Sequence, residues 1–134
     1  MAQKQIIAEG PFRRIIADGV RVGNTIHLSG AVSVDADGNA LHEGDVVAQL
    51  RQAYANIADV LTKFGSTMDD IVYETVFVTD MDGILGDEEI TKSFFGARAE
   101  AYGGKPEVSQ SLIGISKLIM PELLIEIQVV AQVS

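Results

Sequence analysis

Cysteine is absent from this chain of 134 residues. The protein can therefore form no disulfide bond, no thiolate nucleophile and no metal site with cysteine ligands. Long apolar runs are also lacking, so no segment predicts a membrane span, and the first ten residues have no apolar core of the length that a signal peptide needs. We predict a cytoplasmic protein with no membrane partner.

Positive charge is scarce. The chain has 10 lysines and arginines against 19 aspartates and glutamates, a net charge of −9 and a pI near 4.5. Binding to a phosphate backbone depends on clustered Lys and Arg, so this balance predicts no nucleic-acid partner. The two histidines, His27 and His42, have no common helical or strand spacing, so we expect no metal site. We also predict no other cofactor.

Apolar residues, in contrast, are plentiful. They make up 47% of the chain, and the mean hydropathy is +0.21. A chain of this length can bury a substantial core, and we take residues 1–134 as a single domain. So high an apolar fraction indicates further burial between subunits, although a monomer with a well-filled core would have a similar composition.

Hydrophobic periodicity predicts the order β-β-α-β-α-β-β. Strand signals fall at 25–29, 71–79, 108–113 and 124–129. A turn over 34–39 is predicted to join the strand at 25–29 to a second, antiparallel strand that precedes the first helix. Asp45 caps a helix that runs to about Phe64, and the second helix begins at 87–89 and ends before Gly103. The order predicts an α+β fold with both helices on one face of an antiparallel or mixed sheet.

Two glutamates stand within predicted strands. Glu126 lies between Ile125 and Ile127, so alternation places it on the strand face opposite to both. Because many of the residues around Glu126 are apolar, we expect its carboxyl to be partly desolvated and to have a raised pKa. Glu74 lies on the apolar face of a central strand, where it is either exposed at an edge or buried with a raised pKa.

Six short segments in register resemble one known family. They are Gly23-Asn24, Ser29-Gly30, Asn56-Ile57, Thr75-Val76-Phe77-Val78 with Asp80-Met81, Phe94-Phe95, and Ile125-Glu126-Ile127 with Ala131. Together they resemble the Rid family of reactive-intermediate deaminases, also called the YjgF or endoribonuclease L-PSP family. The resemblance implies a chorismate-mutase-like fold and a homotrimer, in which further copies of the subunit cover the free sheet face and leave ligand clefts between neighbours.

The resemblance also implies a site. Active members hydrolyse 2-iminoacids or their enamines, with an arginine that pairs with the substrate carboxylate and a glutamate that positions the attacking water. The glutamate maps onto Glu126 and the arginine onto Gln110. A cysteine two positions further on becomes Leu112, and an asparagine before the second helix's aromatic pair becomes Glu88. The family's Gly-Pro-Tyr segment resembles the segment that ends at Phe12, although about four extra residues follow it.

These replacements predict a ligand of different charge. Gln110 offers a neutral amide where arginine would offer a bidentate cation, and Glu88 adds negative charge, so a neutral or cationic ligand is favoured over an anion. We therefore predict Glu126 and Glu88 as catalytic residues. The predicted ligand-binding residues are Gln110, Ser29, Gly30, Phe12, Arg14 and Leu112.

Three functions stay open at this point. The protein is a Rid-like hydrolase or deaminase acting on a small C–N metabolite (imine, enamine or amide), a non-catalytic ligand-binding or chaperone-like trimer, or an ordinary 2-iminoacid deaminase in which Arg13 or Arg14 replaces the family arginine. Glu126 would be structural in the second case, and Gln110 a decayed site residue. Ser109 and Ser111 alternate with Gln110 and therefore face away from it.

Overall fold

The computed structural model describes residues 3–134, so the first two residues of the predicted domain and of the N-terminal segment lie outside it. Seven strands run in the order β1 Lys4–Ile7, β2 Gly19–Val22, β3 Thr25–Leu28, β4 Ala31–Val32, β5 Ile71–Val78, β6 Ser109–Gly114 and β7 Ile125–Gln132. The helices are α1 Val46–Lys63, α2 Met81–Leu85 and α3 Glu88–Ala101, and a 3-10 turn covers Met68–Asp70.

All seven strands belong to one mixed sheet. The strands lie in the order β1-β2-β3-β7-β5-β6, with β4 pairing to β7 beyond the end of β3. Every pair is antiparallel except β5 and β6, which are parallel, and the crossover between these two strands carries α2 and α3. A parallel pair needs such a long connection, because a tight turn cannot return the chain to the same end of the sheet. The predicted α+β class is confirmed.

Both long helices begin and end where the sequence predicts. The carboxylate of Asp45 accepts a hydrogen bond from the amide of Ala48 at 3.0 Å, and Asp87 caps α3 in the same way. Gly65 has a φ of 73°, a left-handed conformation that glycine adopts easily, and it ends the helix just after α1. The two helices pack on the same face of the sheet, and the main core fills the space between them and β3, β5 and β7.

The N-terminal part differs from the prediction. Strands β1, β2 and β4 were not predicted, because they span only two to four residues and show no clear alternation of buried and exposed positions. The turn over 34–39 closes a single antiparallel bridge between Val34 and Ala40 rather than joining two strands of the sheet. The hairpin of this region is instead β2 with β3, which turns at Gly23 and Asn24.

The sheet face that points away from the helices is called the open face below. On the three strands that are last in the sequence, the residues of the open face are Tyr73, Thr75 and Phe77 of β5, Ser109, Ser111 and Ile113 of β6, and Glu126, Gln128 and Val130 of β7. Tyr73 and Ile113 are 38% and 42% exposed, so a sizeable apolar surface is left for a partner to cover.

Candidate functional site

Glu126 lies on the open face, half-buried, between the buried side chains of Ile125 and Ile127 on the other face. Its strand pairs with β5 so that Glu126 lies opposite Phe77, and with β4 so that it also lies opposite Val32. Burial raises the pKa of the Glu126 carboxyl, because the charged form loses hydration that no cation replaces. This is the direction that the sequence predicts.

Gly30 makes room for that carboxylate. A Cβ atom at position 30 would collide with the Glu126 side chain, and the nearest atoms would be its carboxylate and Cγ. Only glycine therefore lets the Glu126 carboxyl lie over the backbone between β3 and β4. The structure thus brings together two of the predicted site residues, Gly30 and Glu126.

Ser29 supports the same bend with its side chain. Its hydroxyl donates to the Ala17 carbonyl at 2.6 Å, and its amide donates to the carbonyl of Asp18 at 3.0 Å. The Ser29 hydroxyl proton is therefore committed to the backbone before β2, and what remains for a ligand is a lone pair on its oxygen.

Gln110 lies on the opposite side of the sheet from Glu126. It pairs with Glu74, which in turn pairs with Val129, and all three point toward the helices. The Gln110 amide donates to Oε2 of Glu74 at 2.7 Å. This corrects the expectation that Gln110 orients a ligand beside Glu126, since the backbone of the sheet separates the two side chains.

Glu74 is fully buried and accepts four hydrogen bonds. Tyr54 and Tyr102 each donate to Oε1 at 2.7 Å, while Arg98 at 2.6 Å and Gln110 at 2.7 Å donate to Oε2. These donors come from α1, α3 and β6, so one carboxylate ties both helices to the sheet. Burial next to this carboxylate raises the pKa of both tyrosines far above their usual range. Glu74 is thus the buried acid of the two alternatives that the sequence leaves open.

A bulge in β5 decides how Glu74 is placed. The pairing with β7 shifts register between Ile71 and Tyr73, so Ile71 and Glu74 are buried while Val72 is 48% exposed. Strict alternation would have put Val72 on the face of Glu74. The extra residue of a bulge breaks that alternation, so residues after the bulge point to the opposite face from the one that alternation before it predicts.

Leu112 and Glu88 are also apart from Glu126. Leu112 pairs with Val76 and packs against the main core on the helix side, so the sheet separates it from Glu126, and ligand contact at Leu112 stays a prediction. Glu88 is exposed at the first turn of α3. Over residues 3–134 no hydrogen bond or ion pair joins Glu88 to Glu126, and its catalytic role stays a prediction.

The segment that resembles Gly-Pro-Tyr forms a compact turn before β2. Phe12 is half-buried and packs against the small apolar cluster of Val32, Val34 and Leu123. Arg13 donates to the Gly10 carbonyl at 3.1 Å, whereas Arg14 is exposed and, within the part of the chain that the structure describes, makes no hydrogen bond or ion pair. Ligand binding by Phe12 and Arg14 stays a prediction.

A hydroxyl pair on the open face was not predicted. The Tyr73 hydroxyl donates to Oγ of Ser111 at 3.1 Å. When Tyr73 loses its proton, the hydroxyls of Ser111 and Thr75 can donate to the phenolate oxygen, so they lower the pKa of Tyr73. Ser111 therefore keeps its own proton free to donate. The sequence shows that Ser109 and Ser111 share a face, but only the parallel pairing of β5 with β6 shows that this is the face of Glu126.

A cavity of about 410 Å³ lies on the helix side of Gly30. Its walls come from α1, from the turn before β2 and from the chain around β4, and they include Phe12, Ser29 and Gly30. Glu126 does not line it, although Val32, the residue opposite Glu126 on β4, does.

Metal and membrane sites are not indicated within residues 3–134. No three histidine, aspartate or glutamate side chains there cluster closely enough to hold a metal ion. None of the helices described is both long and apolar enough to cross a membrane. The cytoplasmic location stays a prediction.

Comparison with known proteins gives one consistent family. The sequence model described as Endoribonuclease L-PSP matches residues 3–133. A RutC family protein from Sulfurisphaera tokodaii is 29% identical over 121 residues, which cover 90% of this chain and 86% of that protein.

Solved structures of the same fold cover almost all of the chain. The Rid family protein YyfA from Yersinia pestis superposes with a TM-score of 0.81 and 25% identity, over 98% of this chain and 100% of the other. A YjgF/YER057c/UK114 family member from Mycobacterium tuberculosis gives a TM-score of 0.76 and 25% identity over the same shares of the two chains. Because the family match and the shared fold both span nearly the whole chain, this protein belongs to the Rid family, also called the YjgF or endoribonuclease L-PSP family.

Proposed function

We propose that the protein is a Rid-type hydrolase that acts on the C–N bond of a small neutral or cationic metabolite, with Glu126 as the residue that moves protons. The observation that carries this proposal is the half-buried Glu126 carboxyl, whose pKa is raised by burial and whose position over the backbone depends on Gly30. A carboxyl with a pKa nearer to neutrality is a better general base and acid than an ordinary exposed glutamate.

The chemistry needs one group that both accepts and returns a proton. Glu126 takes a proton from water as the water oxygen bonds to the carbon of a C=N group. The same carboxyl then returns the proton to nitrogen, which gives a carbinolamine. It next moves the proton of the new hydroxyl group to the nitrogen, so the C=O bond forms as the C–N bond breaks, and ammonia or an amine leaves with a carbonyl compound as the other product. For an amide, water adds to the carbonyl carbon, return of its proton to nitrogen lets the C–N bond break, and the products are a carboxylic acid and ammonia or an amine. No metal or redox partner enters this balance.

The charge of the open face supports a ligand without a carboxylate. On β5, β6 and β7, within the described residues, the open face presents hydroxyl, amide, aromatic and aliphatic side chains around Glu126 and neither lysine nor arginine. On these three strands an anion would therefore find no lysine or arginine to balance the charge of Glu126. This observation replaces the one based on Gln110, and the predicted preference for a neutral or cationic ligand stands on it.

A homotrimer would complete the site. Tyr73, Phe77, Ile113 and Val130 form an apolar patch around Glu126 that no part of residues 3–134 covers, and further copies of the subunit would bury it. Covering the patch would also remove water from Glu126 and raise its pKa further. RNA, which the family name endoribonuclease suggests as a substrate, is disfavoured by the net charge of −9.

A binding protein without catalysis is the main alternative. The observation in its favour is that the cavity of about 410 Å³ adjoins Ser29 and Gly30 but not Glu126, so a ligand there would lie away from the Glu126 carboxyl. The remaining alternative is an ordinary 2-iminoacid or enamine deaminase. It requires Arg13 or Arg14, which are both exposed, to reach the cleft of an assembled trimer.

The test compares Glu126→Gln with Glu43→Gln, which removes one carboxylate from an exposed loop. Both variants and the parent protein are assayed for release of ammonia from imines generated in situ from alanine and leucine and from a panel of small amides and uncharged imines. We expect turnover of the uncharged compounds, weak turnover of the iminoacids, and about 100-fold slower turnover in Glu126→Gln alone.

The same variants separate the three functions. If Glu126 is structural, Glu126→Gln lowers the melting temperature or dissociates the assembly seen by light scattering, without a selective loss of turnover. Fast turnover of the alanine imine by the parent protein would instead support the ordinary deaminase, and Arg13→Ala or Arg14→Ala would then abolish it.

A further inference from the structure

The cavity between α1 and the turn before β2 has the walls of a ligand site. Its apolar part is made by Leu28, Val32, Val34, Leu41, Ile57 and Val60. A cavity of about 150 Å³ with such a lining is enough for benzene, and pockets for small molecules begin at roughly 300 Å³. At about 410 Å³, this one can hold an aromatic ring together with a short chain.

The rim of the cavity is acidic. Glu9, Asp18, Asp35 and Asp59 contribute four carboxylates and Lys63 one ammonium, which leaves a net charge of −3 on the lining. The Lys63 ammonium is shared between Glu9 at 3.7 Å and Asp59 at 3.9 Å. An ionised ligand that enters the cavity should therefore carry a positive charge, because the lining is negative.

The carboxylate of Asp18 is the best placed of these acids. It is half-buried, and its Oδ2 atom accepts from the amides of Glu9 at 2.7 Å and Gly10 at 2.9 Å. These two bonds fix the carboxylate at the wall, while its Oδ1 atom accepts no hydrogen bond from residues 3–134. Both carboxylate oxygens of Asp35, in contrast, accept hydrogen bonds from Asp37 and Asn39 of the same turn.

We infer that this cavity binds a small amphiphilic amine, with the hydrocarbon body against the apolar wall and the ammonium group beside the carboxylate of Asp18. Such a ligand matches both halves of the lining, whereas a carboxylic acid matches only the apolar half and is repelled by the rim. The site is separate from Glu126, which does not line the cavity, and it does not depend on the hydrolase proposed above.

Three matched probes test the charge preference. Binding of 2-phenylethylamine, 2-phenylethanol and phenylacetate is measured by calorimetric titration of the whole protein at low salt. We expect the amine to bind about tenfold or more tightly than the alcohol, and phenylacetate to bind most weakly. High salt should reduce the advantage of the amine, because screening weakens its attraction to the rim.

Substitutions then locate the site. Asp18→Asn keeps an oxygen to accept from the amides of Glu9 and Gly10, so it should reduce amine affinity about tenfold and leave the alcohol unchanged. Asp37→Asn, at an exposed position outside the lining, is the matched control. Val60→Trp should fill the cavity and abolish binding of the amine and the alcohol, whereas Ala55→Trp, on an exposed part of α1, should not.

The outcomes are distinct. If Val60→Trp does not fold, Ala36→Trp at the exposed rim replaces it, because a side chain there can block the mouth without crowding the core. Equal affinity for amine and phenylacetate, or unchanged amine binding in the cavity-blocking variant, would overturn the inference. Unchanged amine binding in Glu126→Gln is expected, and its loss would instead place the amine in the proposed catalytic site.

Discussion

The Gln110 side chain donates to Glu74 at 2.7 Å on the helix side of the sheet, while Glu126 occupies the open face two strands away. A residue that the family resemblance matches to a ligand-binding arginine thus donates a hydrogen bond to a buried carboxylate. The difference between these two roles can be measured, because one predicts a change in stability and the other a change in specificity.

Replacing Gln110 by alanine should destabilise the protein. The variant removes a hydrogen bond to a buried carboxylate, and we expect the free energy of unfolding to fall by about 1.5–3 kcal/mol in denaturant titrations. Gln128→Ala, at an exposed position on the open face, should change it by less than about 0.5 kcal/mol. A stable Gln110→Ala variant with altered substrate preference would show that Gln110 reaches a ligand after all.

Replacing Glu74 by glutamine should cost more. Glu74 is fully buried and Arg98 is 18% exposed, so the substitution leaves a largely buried guanidinium without its counter-charge. Breaking a buried pair in this way costs about 3–5 kcal/mol, and the loss should appear as a lower denaturant midpoint. Removing the exposed pair of Arg51 and Glu100 by Glu100→Gln is the control, with an expected loss below about 1 kcal/mol.

Gly30→Ala should act mainly on Glu126. The new methyl group would displace the carboxylate from its rotamer, at a cost of about 0.5–1.5 kcal/mol, and any activity that depends on its position should fall with it. Gly96→Ala is the matched control, because a Cβ there meets open space in the middle of α3 and should stabilise the helix. If Gly30→Ala were fully active, the Glu126 carboxylate would not need its observed position.

The pH dependence of stability should report on Glu126. Because burial raises its pKa, the folded protein holds this proton more tightly than the unfolded chain does. The Glu126 contribution to the free energy of unfolding is therefore most favourable at low pH. It falls as the pH rises from the ordinary glutamate pKa, about 4.3, through the raised value. The difference between the parent protein and Glu126→Gln, measured across this range, should show the decline.

Tyr73 should ionise first among the three tyrosines. Hydrogen bonds to Ser111 and Thr75 lower its pKa, while burial and the Glu74 charge raise the pKa of Tyr54 and Tyr102. An absorbance titration should therefore show one early phenolate, which disappears in Tyr73→Phe and moves to higher pH in Ser111→Ala. An unshifted transition in Ser111→Ala would mean that the hydroxyl pair does not form.

The helices and long strands could be predicted because each carries a strong local signal. Apolar residues at helical spacing and the cap at Asp45 fix α1, and alternation fixes β7 together with the half-buried position of Glu126. The short strands β1, β2 and β4 carry no such signal, and their pairing depends on the rest of the sheet.

The site could be predicted only in part. Successive side chains of a strand point to opposite faces of the sheet, and the sequence of one strand does not show which face meets Glu126. The family resemblance assigns Gln110 and Glu126 to one ligand site, whereas the parallel pairing of β5 with β6 places Gln110 on the helix side and Ser109 and Ser111 on the face of Glu126. The bulge at Val72 likewise decides the face of Glu74, and neither the position of the bulge nor the parallel pairing of β5 with β6 is set by local sequence.

The backbone of β6 also separates two tasks. On its inner side Gln110 and the Glu74 network hold the strand in place, and on its outer side Ser109 and Ser111 lie on the open face. Substitutions at the two serines can therefore alter the surface of the open face while the anchoring of the strand is left intact. Such a division lets the chemistry of one surface change without loss of the fold.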